Sequence, residues 1–147
     1  MDRERIRALL ETLREGQITT ENALEHLSRL PYEDLGFAML DHHRALRQGF
    51  PEVVFCQGKT VEQVSAIFKR LAAENDVVLA TRATPQAFAA VRDIEPAARY
   101  HDVARVITLE RTERTRTEGV AVVSAGTSDI PVAEEAAITA EGQSLTP

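Results

Sequence analysis

Near the amino terminus apolar residues recur at helical spacing. Ile6, Leu9, Leu10 and Leu13 fall at i, i+3, i+4 and i+7, which places them on one face of a first helix ending near Gly16. Thr19 or Thr20 opens a second helix that turns Leu24, Leu27 and Leu30 inward and stops before Pro31. The two helices predict a hairpin whose leucines need a further surface, on the following domain or on another subunit. From Leu35 to Phe55 the pattern is that of strands, with Phe37 to Leu40 and Glu52 to Phe55 as the apolar runs. Thr60 and Gln63 are spaced as a capping box, and Val64, Ile67, Phe68 and Leu71 form the buried stripe of a third helix. Val77 to Ala80 predicts a short buried strand. Thr84 caps a fourth helix with Pro85 at its first position and Phe88, Val91 and Ile94 inward. Ala104 to Leu109 reads as one more strand. This βαβα alternation predicts a small, mostly parallel sheet with helical crossovers.

The pattern then changes twice. Residues 110–118 alternate in charge, are rich in threonine and contain no aliphatic side chain, so they read as a linker or an exposed strand pair. Val120 to Val123 is an apolar, mostly β-branched run between Gly119 and Ser124-Ala125-Gly126, the signature of a strand buried on both faces. Ser128 or Asp129 is placed to cap the helix that follows, with Pro131 in its first turn and Glu134 and Glu135 near its positive end. Such a strand needs neighbours on both sides. They are expected either from strands nearer the amino terminus or from a continuation that this chain does not include.

Composition narrows the class. The chain has 147 residues, 44% of them hydrophobic and 27% charged, which suits one domain and a remnant or two small units, and excludes global disorder. Its net charge of −6 argues against broad nucleic-acid binding. The amino terminus is too charged for a signal-peptide core and no apolar run reaches bilayer length, so a cytoplasmic location is expected. Cys56 is the single cysteine, excludes an internal disulfide, and reads as a small buried thiol.

Candidate chemistry gathers at the ends of the expected strands. Gly58-Lys59-Thr60 stands between a strand and a helix, but a P-loop needs glycine where Val53 stands. Lys59 is therefore either a solvated lysine or a point charge for a phosphate or carboxylate beside a helix start. Arg82, after Thr81, lies at the carboxyl edge of the sheet and suits a bidentate contact with an oxyanion, although a surface arginine fits the position equally. Asp41-His42-His43-Arg44 alternates in a strand, which separates the two histidines. A metal site would then have to recruit His101 and Asp102. An oxyanion clamp or a solvated, salt-bridged edge is the simpler reading.

Stretches 34–60 (DLGFAMLDHHRALRQGFPEVVFCQGKT), 78–83 (VLATRA) and 124–136 (SAGTSDIPVAEEA) together resemble the LarB family of nickel-pincer-nucleotide cofactor biosynthesis, older members of which were called circadian phase modifiers. The residue pattern divides the chain into a helical hairpin over 1–33, an α/β domain over 34–109 and a linker over 110–118, and the resemblance implies that 119 to 147 is the opening of a flavodoxin-like domain similar to phosphoribosylaminoimidazole carboxylase (PurE). It implies an enzyme that carboxylates C5 of the pyridinium ring of nicotinic acid adenine dinucleotide with CO2. The enzyme would also cleave the phosphoanhydride, giving AMP and pyridinium-3,5-biscarboxylic acid mononucleotide. CO2 is then a co-substrate, no cofactor is tightly held, and complete relatives assemble as octamers. Asp41, His42, Arg44, Lys59, Thr60 and Arg82 match the family's amino-terminal motifs and are expected to face the dinucleotide. Gly126, Thr127, Ser128 and Asp129 match its phosphate and ribose turn, Gly126 replacing a serine of that pattern. The family's chemistry uses a cysteine thiolate from the later part of the PurE-like domain. Cys56 does not match it, so this chain alone is expected to bind ligand weakly and not to turn over.

Overall fold

A computed structural model describes residues 3–28, 32–42, 44, 52–112 and 117–146. The chain forms two units, Met1–Glu52 and Val53–Pro147.

In the first unit, α1 (Arg3–Arg14) packs on α2 (Thr20–Ser28). Thr19 is the residue that caps α2, its hydroxyl accepting from Asn22 N at 3.2 Å. The expected leucine stripe is only partly covered. Ala23 is buried, whereas Leu10 and Leu24 are 49% and 59% exposed, because two short helices share one narrow seam and the small residue occupies it. Leu30 lies outside the described residues. The expected strand at 37–40 is shorter than its apolar run: β1 (Tyr32–Asp34) pairs antiparallel with β2 (Met39–Asp41), and residues 35–38 make the turn. Gly36, at φ 80°, takes the left-handed conformation there and donates its N–H to Asp34 Oδ1 at 2.7 Å.

The second unit is built on β4 (Val77–Thr81). It lies between β3 (Val53–Phe55), with which it runs parallel, and β6 (Val106–Glu110), with which it runs antiparallel; β5 (Arg99–His101) completes the sheet on the far side of β6. The expected crossover unit is therefore β3, α3 (Val61–Glu74), β4, followed by α4 (Pro85–Ile94). The remaining pairing is antiparallel, since β5 and β6 form a hairpin after α4. Both helix starts follow the sequence reading. Thr60 Oγ1 accepts from Gln63 N while Gln63 Oε1 accepts from Thr60 N, and Thr84 Oγ1 accepts from Ala87 N at 3.1 Å.

The register assigns the two faces of this sheet different chemistry. Val78 pairs with Leu109 and Ala80 with Ile107, which in turn pairs with Tyr100. Tyr100 stacks on Phe88 of α4 at 5.2 Å between ring centroids, so this apolar face is the one that α3 and α4 cover. Phe68, Leu71, Val64 and Val91 from those helices are fully buried with it. At the back, Arg111 donates to Ala72 O at 2.6 Å and pairs with Glu95 at 2.8 Å, tying the carboxyl ends of α3 and α4 together. On the other face the pairs are Leu79 with Thr108 and Val77 with Glu110, beside Arg99. There α5 (Ile130–Gly142) packs against β4 and β6, and none of its residues is buried. Short strands β7 (Thr117–Glu118) and β8 (Leu145–Thr146) pair parallel at its far end.

The doubly buried strand expected at Val120 to Val123 does not form. Residues 120–125 have no regular structure, and Val123 is 90% exposed. No strand stands beside them among the described residues, and without pairing an apolar run has neither ladder hydrogen bonds nor a face to bury. The expected helix does form.

Candidate functional site

Strands β3 and β4 run parallel, so both deliver their next residues to one edge of the sheet. Cys56 N donates to Thr81 O at 2.9 Å and extends the pairing one step past β3. Beyond it the chain reverses through Gly58, at φ 82°, and Lys59 N donates to Cys56 O at 3.0 Å. This turn brings Lys59 and Thr60 to the start of α3. On the neighbouring strand Arg82, at φ 54°, and Ala83 lead into α4. A left-handed conformation in a non-glycine residue costs roughly 1–2 kcal/mol, so the surrounding contacts hold Arg82 against its own preference. Ala83 supplies one such contact, donating its N–H to Arg105 O at 2.8 Å.

Two helix starts and two cations thus share the carboxyl edge of β3 and β4, where parallel α/β sheets place ligands. Lys59 is exposed and folds back to donate to Phe55 O at 2.7 Å. Arg82 reaches away from the helix starts: its Nε stands 2.7 Å from Glu135 Oε2 of α5, with side chains 39% and 20% exposed. The Nε–H is not aligned on that oxygen and makes no hydrogen bond, so the pair is held by charge. Thr60 is occupied within its own turn. Besides capping α3, its hydroxyl bonds the Glu62 carboxylate, which is held below the usual carboxylate range first by its own backbone N–H and second by Thr60.

Cys56, 5% exposed, lies directly under this edge. Burial pushes its thiol up to about 11, against a smaller opposing pull from the Lys59 charge. At neutral pH it is a protonated thiol that packs as a small hydrophobe.

The remaining candidates divide between the units. Asp41, His42 and Arg44 belong to the first. His42 is buried and bonds Glu33 Oε2 at 2.9 Å, Asp41 N donates to Glu52 Oε2 at 2.6 Å, and Arg44 is half-buried. His43 lies outside the described residues. Gly126 to Asp129 belong to the second unit, where Thr127–Asp129 make a single 3-10 turn leading into α5. Neither Ser128 nor Asp129 caps that helix. Asp129 takes a helical conformation instead of the extended one a cap requires, and neither α5 nor the turn has a side-chain cap. Both side chains lie over Gly126, whose added Cβ would meet Asp129 Oδ2 at 3.3 Å and Ser128 Oγ at 3.6 Å. His101 bonds Thr108 Oγ1 at 3.0 Å across the β5–β6 hairpin and lines a cavity of about 510 Å³ beneath α5 with Leu79, Arg99 and Glu141. Among the described residues no group of three His, Cys, Asp or Glu side chains stands close enough to hold a metal ion.

Two roles at the edge were not read from sequence. Arg105, at φ 55°, also turns its Nε to Ala83 O at 3.4 Å, and Glu135 meets Arg82. The antiparallel partnership of β4 and β6 brings Arg105 there, and nothing in the spacing of the residues announces that pairing.

Comparison with known proteins agrees with the motifs. Residues 32–112, more than half of the chain, match the family model described as LarB/PurE-like N-terminal domain. An uncharacterized protein of Methanocaldococcus jannaschii is 29% identical over 152 aligned residues, which cover 92% of this chain and 56% of that protein. The chain therefore spans about half the length of the curated relative it matches. No described helix is long and apolar enough to cross a membrane.

Proposed function

The chain belongs to the LarB/PurE-like N-terminal domain family, and from that premise we propose that it serves the LarB-type carboxylation and hydrolysis of nicotinic acid adenine dinucleotide by holding the substrate's anionic groups. CO2 is the co-substrate, and AMP and pyridinium-3,5-biscarboxylic acid mononucleotide are the products. The observation that carries this reading is the carboxyl edge of β3 and β4, which joins the starts of α3 and α4 to Lys59 and a conformationally constrained Arg82. An arginine fork suits a carboxylate or phosphate, and a lysine adds a mobile point charge. Gly126, Thr127, Ser128 and Asp129, before α5, contribute further contacts to the dinucleotide. Thr60 acts by fixing the start of α3, since its hydroxyl is already engaged. The working assembly is a homo-oligomer.

Carboxylating an electron-poor pyridinium requires a nucleophile that first makes the ring electron-rich. Cys56 is unsuited to that step, being buried and protonated at neutral pH. The same burial favours a second reading, in which this chain is a nucleotide-binding or assembly module without turnover of its own. Calorimetry with nicotinic acid adenine dinucleotide, beside incubation with it and bicarbonate followed by chromatography for AMP, separates the two. The first reading expects weak binding with no AMP above the uncatalysed background, and tight binding without AMP favours the module. Stoichiometric AMP that survives replacement of Cys56 by serine contradicts the binding-only role. Loss of that AMP in the serine variant would make Cys56 the nucleophile and overturn its assignment as structural.

A further inference from the structure

We infer that Glu135 occupies the place of a ligand oxyanion at Arg82, so that ligand binding at this edge must displace α5 from its contact. The inference rests on the reading of Arg82 as an anion-binding residue. Three observations converge on it. Arg82 is held in the left-handed region at the end of the central strand, so its backbone is placed by the sheet, whichever anion its side chain meets. The carboxylate it meets comes from α5, an element with no buried residue and no side-chain cap, the least anchored helix of the second unit. The contact itself is close but poorly aligned, 2.7 Å without a hydrogen bond. A carboxylate presents the same geometry to a guanidinium as a ligand's carboxylate or phosphoryl oxygens do, and once α5 moves away those oxygens take up the Nε–H direction that Glu135 leaves unsatisfied, at an atom that is buried while the contact stands.

A ligand that gains Arg82 only by removing Glu135 binds with an affinity reduced by the fraction of chains in which that contact is open. Removing the Glu135 charge abolishes this penalty. The experiment is calorimetric titration of the whole chain with pyrophosphate and, separately, with nicotinate, using the wild type and the variants Glu135→Gln, Glu134→Gln and Arg82→Gln. Glu135→Gln should tighten binding of at least one probe by about five- to tenfold, within the usual range of coupling between sites. Glu134→Gln, on the neighbouring exposed carboxylate, should leave it unchanged, and Arg82→Gln should weaken it. A gain confined to pyrophosphate assigns the place to a phosphoryl group, and one confined to nicotinate assigns it to a carboxylate. Equal gains from both glutamate variants would reduce the effect to net charge and overturn the inference. Weakening by Arg82→Gln with no gain from Glu135→Gln overturns it while leaving the anion edge intact. No effect of Arg82→Gln removes the anion edge and the inference together.

Discussion

Val77-Val-Leu-Ala80 and Val120-Ala-Val-Val123 are nearly interchangeable as text, yet they end in opposite environments. In the first, Val78, Leu79 and Ala80 are at most 1% exposed, between strands on both sides and helices on both faces. The second has no regular structure, and Val123 stands 90% in solvent. A β-branched run is a statement about what a segment can do once neighbours exist; it does not supply them. The helices repeat the lesson. Stripes at 64–71 and 88–94 cover the apolar face of the sheet, and α3 and α4 start at residues whose hydroxyls cap them. On the opposite face, Thr108, Glu110 and Arg99 alternate with the core positions, and α5 rests there uncapped and unburied.

The sharpest way to break this contrast is to truncate one leucine and one valine. Leu79→Ala should cost about 2–5 kcal/mol in urea-induced unfolding, as expected where a cavity opens in a packed core. Val123→Ala should stay within about 0.5 kcal/mol, as surface positions do. Equal losses at both sites would mean that residues 120–123 are buried in solution. A smaller effect concerns Cys56. Its thiol ionises near 9.0 when exposed and near 11 in the fold, so the unfolded chain gives up its proton first as pH rises. The stability that burial of the neutral thiol contributes is complete below about pH 9 and lost progressively towards pH 11. That loss is at most about 3 kcal/mol. Comparing unfolding of wild type and Cys56→Ala at pH 8 and pH 10.5 isolates it: the wild type should lose more stability between the two, and identical losses would place the thiol in water.

Much of the second unit was legible because its signals are local. A capping box spans residues 60–63, Pro85 fixes its own backbone angle, and the stripe from Val64 to Leu71 repeats within one helix. The α/β class followed from such features, whereas the family came from the resemblance of stretches 34–60, 78–83 and 124–136. What stayed hidden depends on pairs far apart in the chain. Arg99 to His101 is a three-residue strand visible only through its partner β6, and Arg105 reaches the edge only because β6 runs antiparallel to β4. The failure of Ser128 and Asp129 to cap α5 is of the same kind. Their side chains turn to Gly126, and a cap-forming residue type does not dictate that choice. Arg82 was placed correctly at the edge, whereas its engagement by Glu135 required the fold.

The central claim is that ligand anions meet the carboxyl edge of β3 and β4. Backbone amide chemical-shift mapping of the chain, titrated with nicotinic acid adenine dinucleotide, tests it most directly. The account predicts the largest shifts at residues 56–60 and 81–84, with a response from Glu135. Shifts confined to His101, Thr108 and Glu141, which line the cavity beneath α5, would contradict it.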